Sequence, residues 1–196
     1  QNKNCSKNLI NKNYKQTTPF YIMTILNIFM DFIIFILAFF VGFFAKAADS
    51  TERFNEKYAY VFSFTYALLA GFLLINSPLS TLFIALAMAN ILAGKFDTGP
   101  HLFGLAVFCA FIIFFNFDFD PWLFTIFFSA GLLDEILHDE KNISLLKYRI
   151  LVPFSALFIW FYLKNPIYFL SILCFDLGYN LFEKINKKFI ISKRKK

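Results

Sequence analysis

Both histidines of this chain stand beside carboxylates at helical spacing. Asp97 and His101 are four residues apart, as are Asp134 and His138, while Glu135 and His138 are three apart. On a helix such spacings bring side chains to one face. Glu-x-x-His is also the spacing by which di-metal carboxylate bundles draw two ligands from one helix. Asp31 and Asp176 add carboxylates with apolar residues on both sides. A central Asp costs about 2.5–3.5 kcal/mol to insert in a bilayer, so each needs a reason to be there. The expected metal set is Asp31, Asp97, His101, Glu135, His138 and Asp176, and the expected acid–base groups are Asp97, His101, Asp134, Glu135 and His138.

Carboxylate and imidazole together suit zinc, iron or manganese, and with water and phosphate oxygens also magnesium. Lys95, Lys147 and Arg149 fall on the same side of the expected topology and suit a phosphate or diphosphate. A helix start at Pro100 adds backbone N–H groups that favour an anion. These parts point to phosphoryl or pyrophosphoryl chemistry on a lipid or isoprenoid phosphate, with a divalent metal polarising the phosphate or activating water. Each part also has a plainer reading. Asp134 to Glu140 reads equally as a solvated helix end, Asp97-Thr98-Gly99-Pro100 as a turn, and Asp31 or Asp176 as a protonated structural group.

The elements that must position these residues are apolar. Of 196 residues, 59% are hydrophobic, 16% are charged and 31 are Phe. A soluble domain is less apolar and carries about a quarter charged residues. This composition excludes a disordered chain and a disulfide scaffold, and it points to a multi-pass membrane protein. The net charge is +6. The basic residues gather at the ends and in loops rather than along an aromatic-laced helical stripe, which excludes a nucleic-acid partner. Three cysteines without a CxxC pair argue against a thiolate metal or redox site.

Along the chain, residues 1–18 read as a polar arm, 19–185 as one transmembrane helical domain and 186–196 as a basic tail. The chain opens on Gln1 rather than Met, which leaves room for a removed leader. Apolar runs predict an all-α bundle of about seven spans at 20–44, 58–76, 79–95, 100–117, 121–137, 149–163 and 166–183. A re-entrant pair in place of spans three and four would make it six. Residues 45–57 read as a charged connection, with Asp49-Ser50-Thr51-Glu52 as a helix start. Small residues in span three (Ala85, Ala87, Ala89, Ala93) suit close packing.

With seven spans, five of the nineteen Lys and Arg fall on the N-terminal side and fourteen on the other. The positive-inside rule then puts the N-terminus outside and the C-terminus in the cytoplasm. The expected partners are the bilayer, a lipid or isoprenoid substrate, and other membrane proteins. Three functions remain open: a metal-dependent enzyme on a lipid phosphate, a subunit of a membrane complex, and a cation or proton transporter. The first requires the polar groups to form one cluster. The second turns Asp31 and Asp176 outward, and the third strings polar groups past Asp31.

Overall fold

The computed structural model describes residues 29–52, 54–76, 78–139 and 149–194, with side chains described to Lys187 apart from those of residues 76 and 139. The chain divides into two units, Gln1–Ile33 and Ile34–Lys196. In the first, residues 29–33 are helical and Asp31 is exposed. The described residues form seven helices and no strand: α1 Phe29–Glu52, α2 Glu56–Asn76, α3 Ser80–Leu92, α4 Gly99–Phe114, α5 Pro121–Asp139, α6 Leu151–Leu163 and α7 Ile167–Arg194.

Short polar segments set the helix boundaries. Asp120 accepts from the backbone N–H of Trp122 and Leu123 at 2.9 and 3.2 Å, so it caps α5, whose first residue is Pro121. Asn165 does the same for Ile167 at 3.1 Å, after Lys164 closes α6 in the left-handed conformation (φ 54°). The end of α3 is a Schellman turn. Gly94 takes φ 70°, its N–H reaches the Ile91 carbonyl at 3.0 Å, and the Lys95 N–H reaches Asn90 at 3.0 Å. That turn fixes where Lys95 leaves the helix.

Helix α2 packs on α3 and α4, α3 on α5, and α6 on both α5 and α7. Glycines permit the closest crossings. A Cβ on Gly178 would lie 3.0 Å from the Phe43 nitrogen and meet the Phe39 carbonyl oxygen, so α7 touches the α1 backbone itself. Gly42 of α1 answers it against the Phe175 backbone. Phe43 and Phe182 seal this crossing edge to face at 5.0 Å between ring centres. Between α3 and α5, Gly131 faces Ala89 and Leu86, and Ala85 and Ala89 are fully buried, as the small-residue run of this segment predicts.

Each of the seven predicted runs holds a helix within the described residues, but the spanning prediction holds only in a coarser form. Two helices, Phe29–Glu52 and Glu56–Ile75, are long and apolar enough to cross a membrane. Helices α3 and α6 have 13 residues and α4 has 16. At about 1.5 Å per residue these reach only about 20–24 Å, short of a hydrocarbon core of about 30 Å. A second correction concerns residues 45–57. The segment Ala45 to Glu52 ends α1 and does not begin α2. Its Ala, Lys and Glu are strong helix formers, and the Thr51 hydroxyl donates back to the Ala47 carbonyl at 2.7 Å, so the helix runs on past the apolar stretch.

Candidate functional site

The alternation of helix directions gathers one set of ends: the C-terminal ends of α1, α3 and α5 and the N-terminal ends of α4 and α6. Between them lies a cavity of about 340 Å³, lined by residues of all seven helices within the second unit. Its floor is apolar, formed by side chains such as Val41, Leu82, Phe83, Phe108 and Ile172. Its other walls carry Asp49, His101, Asp134, Glu135, Arg149 and Asp176, with Lys95, Tyr66 and Tyr179 beside them.

One side of the cavity is a continuous hydrogen-bonded chain. Lys46 Nζ donates to Tyr179 Oη at 3.0 Å, and Tyr179 Oη donates to Asp49 Oδ2 at 3.2 Å. Asp49 Oδ1 takes the His101 Nε2 proton at 3.0 Å, with Glu52 Oε2 at 4.0 Å from the same nitrogen. Asp49 as acceptor puts an imidazole proton on Nε2, and in the neutral ring the Nδ1 lone pair then faces the Tyr66 hydroxyl at 3.3 Å. Gly104 makes room for that hydroxyl: a Cβ there would sit 2.7 Å from Tyr66 Oη and 3.1 Å from the Ser63 carbonyl oxygen. The array couples a carboxylate, an imidazole and a phenol, the composition of a proton relay.

The other side has a different construction. Asp134 is 3% exposed and spends both oxygens on α6, accepting from the N–H of Leu151 at 3.0 Å and of Val152 at 2.8 Å. It therefore satisfies two of the donors every helix start leaves open. Glu135, 4% exposed, takes an Arg149 guanidinium N–H at 3.0 Å. Arg149 holds a left-handed backbone (φ 46°), a strained conformation for a non-glycine residue. Its Nε is buried without a hydrogen-bond partner among the described residues.

Of the residues singled out by sequence, Lys95, His101, Asp134, Glu135, Arg149 and Asp176 line this one cavity. Asp97 and His138 are exposed and do not line it. Asp31 belongs to the first unit, and Lys147 lies outside the described residues. The expected pairings change accordingly. Asp97 stands in the turn before α4, so helical spacing does not govern it, and His101 pairs with Asp49 from α1. Within Glu-x-x-His, Glu135 turns inward to Arg149 and His138 outward. Among the described residues no group of three or more His, Cys, Asp and Glu is arranged to hold a metal ion, which leaves the six-residue metal set without that support.

Sequence reading missed Lys46, Asp49, Tyr66 and Tyr179. The signal was present in part: Lys46 and Asp49 are three apart, and Tyr179 follows Asp176 by three. Assigning 45–57 to a loop removed the helical frame in which those spacings matter. Comparison with protein-family models, with curated proteins and with solved structures gives no match to this chain.

Proposed function

We propose that this chain is a multi-pass membrane enzyme that acts on a lipid or isoprenoid phosphate by proton transfer from the Asp49–His101–Tyr66 array. The observation that carries the reading is a single cavity with an apolar floor beneath a proton relay and two cationic side chains, Lys95 and Arg149. An amphipathic substrate suits it, tail on the floor and phosphate toward the Arg149 Nε, which has no partner among the described residues. His101 accepts the proton of the attacking water or hydroxyl, directly or through Tyr66, as the phosphorus–oxygen bond to the leaving group breaks, and then returns that proton to the departing oxygen. Asp49 stabilises the resulting imidazolium, and Lys46 and Tyr179 hold Asp49 in place.

The membrane setting is supported by the outward faces. Phe114 is 78% exposed, Ile113 75% and Phe161 73%, side chains whose apolar surface suits lipid better than water. Two long apolar helices and three shorter ones agree with a seven-helix membrane bundle, in which the shorter helices would need local thinning of the bilayer. In the orientation the charges favour, the cavity opens to the cytoplasmic leaflet. A divalent ion would arrive on the substrate phosphate, since among the described residues no group of three or more His, Cys, Asp and Glu could hold one.

The test is release of phosphate or of the headgroup from phosphatidic acid, from phosphatidylethanolamine and from a polyprenyl diphosphate by the purified protein in detergent. Turnover of at least one of them by the native protein is expected, with His101→Ala and Asp49→Asn slower by about 10²–10⁴-fold. Absence of turnover with all three substrates, or variants as fast as the native protein, would reject the assignment.

A further inference from the structure

Four carboxylates line the cavity (Asp49, Asp134, Glu135 and Asp176), beside Lys95 and Arg149. Three of the four carboxylates have partners. Asp49 takes His101, Tyr179 and, at 3.7 Å, Lys46, Glu135 takes Arg149, and Asp134 takes two backbone N–H groups. Asp176 makes no hydrogen bond or ion pair among the described residues, yet it lines the cavity from α7.

Two further groups of acceptor character face the same space. Ser171, only 1% exposed, lines the cavity from α7 with Ile172, Phe175, Asp176 and Tyr179, and its Oγ has no hydrogen-bond partner among the described residues. A buried hydroxyl without a partner is uncommon and costly in a finished structure. Asn90, from α3, donates its Nδ2 to the Leu86 carbonyl at 2.8 Å, which leaves Oδ1 as its end for the cavity. A carboxylate, an amide oxygen and a hydroxyl together ask for a ligand rich in N–H donors. Arg149 Nε, in the same cavity, asks for an acceptor.

We infer that the ligand headgroup is zwitterionic, a phosphate joined to a primary ammonium, with the ammonium held by Asp176, Ser171 and Asn90 and the phosphate by Arg149 and Lys95. This rests on the proposed function and narrows its substrate to the aminophospholipid class. The ammonium takes up the carboxylate, and the phosphate the guanidinium nitrogen, that have no partner among the described residues.

Binding to the full-length protein in detergent tests it by native mass spectrometry. The probes are dioleoyl phosphatidylethanolamine, dioleoyl phosphatidic acid and soluble O-phosphoethanolamine. The aminophospholipid is expected to bind about tenfold or more tightly than phosphatidic acid, the effect of one charge-assisted contact. Asp176→Asn and, independently, Ser171→Ala should shrink that ratio, the first to near one. Phosphatidic acid binding as tightly as the aminophospholipid to the native protein overturns this inference and leaves the proposed function standing. So does an unchanged ratio in a folded Asp176→Asn protein. Failure of both lipids to saturate, or soluble phosphoethanolamine binding as tightly as the lipid, overturns the proposed function and this inference with it. The native-protein comparison needs no variant to fold.

Discussion

Replacing Asp134 by Ala separates a positioning role from a chemical one. The side chain is buried, and its two oxygens accept from Leu151 and Val152 at 3.0 and 2.8 Å. Truncation leaves two donors at the start of α6 without a partner in a place water reaches poorly. Loss of a helix cap costs about 0.5–2 kcal/mol, and each orphaned buried donor about 1–3 kcal/mol. These overlap, so the expected destabilisation is about 2–5 kcal/mol. For a chain of this size about 2–4 °C of unfolding midpoint accompanies each kcal/mol, which predicts a fall of about 4–20 °C. Trp160 reports on it directly, because it lies in α6 and stacks on Phe169 of α7 at 5.6 Å. Thermal unfolding followed by tryptophan fluorescence in detergent is therefore the assay. Asp134→Asn should fall by roughly half as much, since an amide accepts from one donor and turns its own NH₂ toward the other. Turnover should fall only in proportion to the unfolded fraction. A midpoint moved by less than about 2 °C, with turnover abolished well below it, would refute the capping argument and return Asp134 to the chemistry.

Two other substitutions probe the same site from opposite directions. Gly104→Ala puts a methyl group 2.7 Å from Tyr66 Oη, which must move away from His101. Turnover is expected to drop about tenfold or more, close to the effect of Tyr66→Phe, and the two changes combined should cost little more than either. Strict additivity in that double variant would contradict a shared role. His138→Ala, at an exposed position outside the cavity lining, should change turnover by less than twofold and stability by no more than about 0.5 kcal/mol. A large loss of turnover would restore the Glu-x-x-His pair as part of the site.

The helical class was legible because its signal is additive. Each apolar run repeats the same information over many residues, and prolines at 100 and 121 together with Asp120 and Asn165 mark where the runs begin. The gathering of Lys95, His101, Asp134, Glu135, Arg149 and Asp176 into one cavity was legible for a related reason. In an antiparallel bundle, alternate helix ends meet, so a list of polar residues sorted by helix end is already a list of neighbours. What that sorting lacks is rotation. His138 and Glu135 share a helix end and differ by three residues, yet one is exposed and the other 4% exposed. Which way a helix turns was decided by partners far along the chain: Arg149 for Glu135, and the backbone of α6 for Asp134. The largest error has the same root. Asp49 looked like the start of a helix because Asp, Ser and Thr favour N-caps, whereas the Thr51 hydroxyl bonds backward to Ala47 and the helix continues. That single change of direction moves Asp49 from a loop to the last turn of α1, where Gly42 and Gly178 bring α1 close enough to α7 for Tyr179 to reach it. The carboxylate partner of His101 thus depends on two glycines, one on each of the crossing helices, with no charge of their own to announce them.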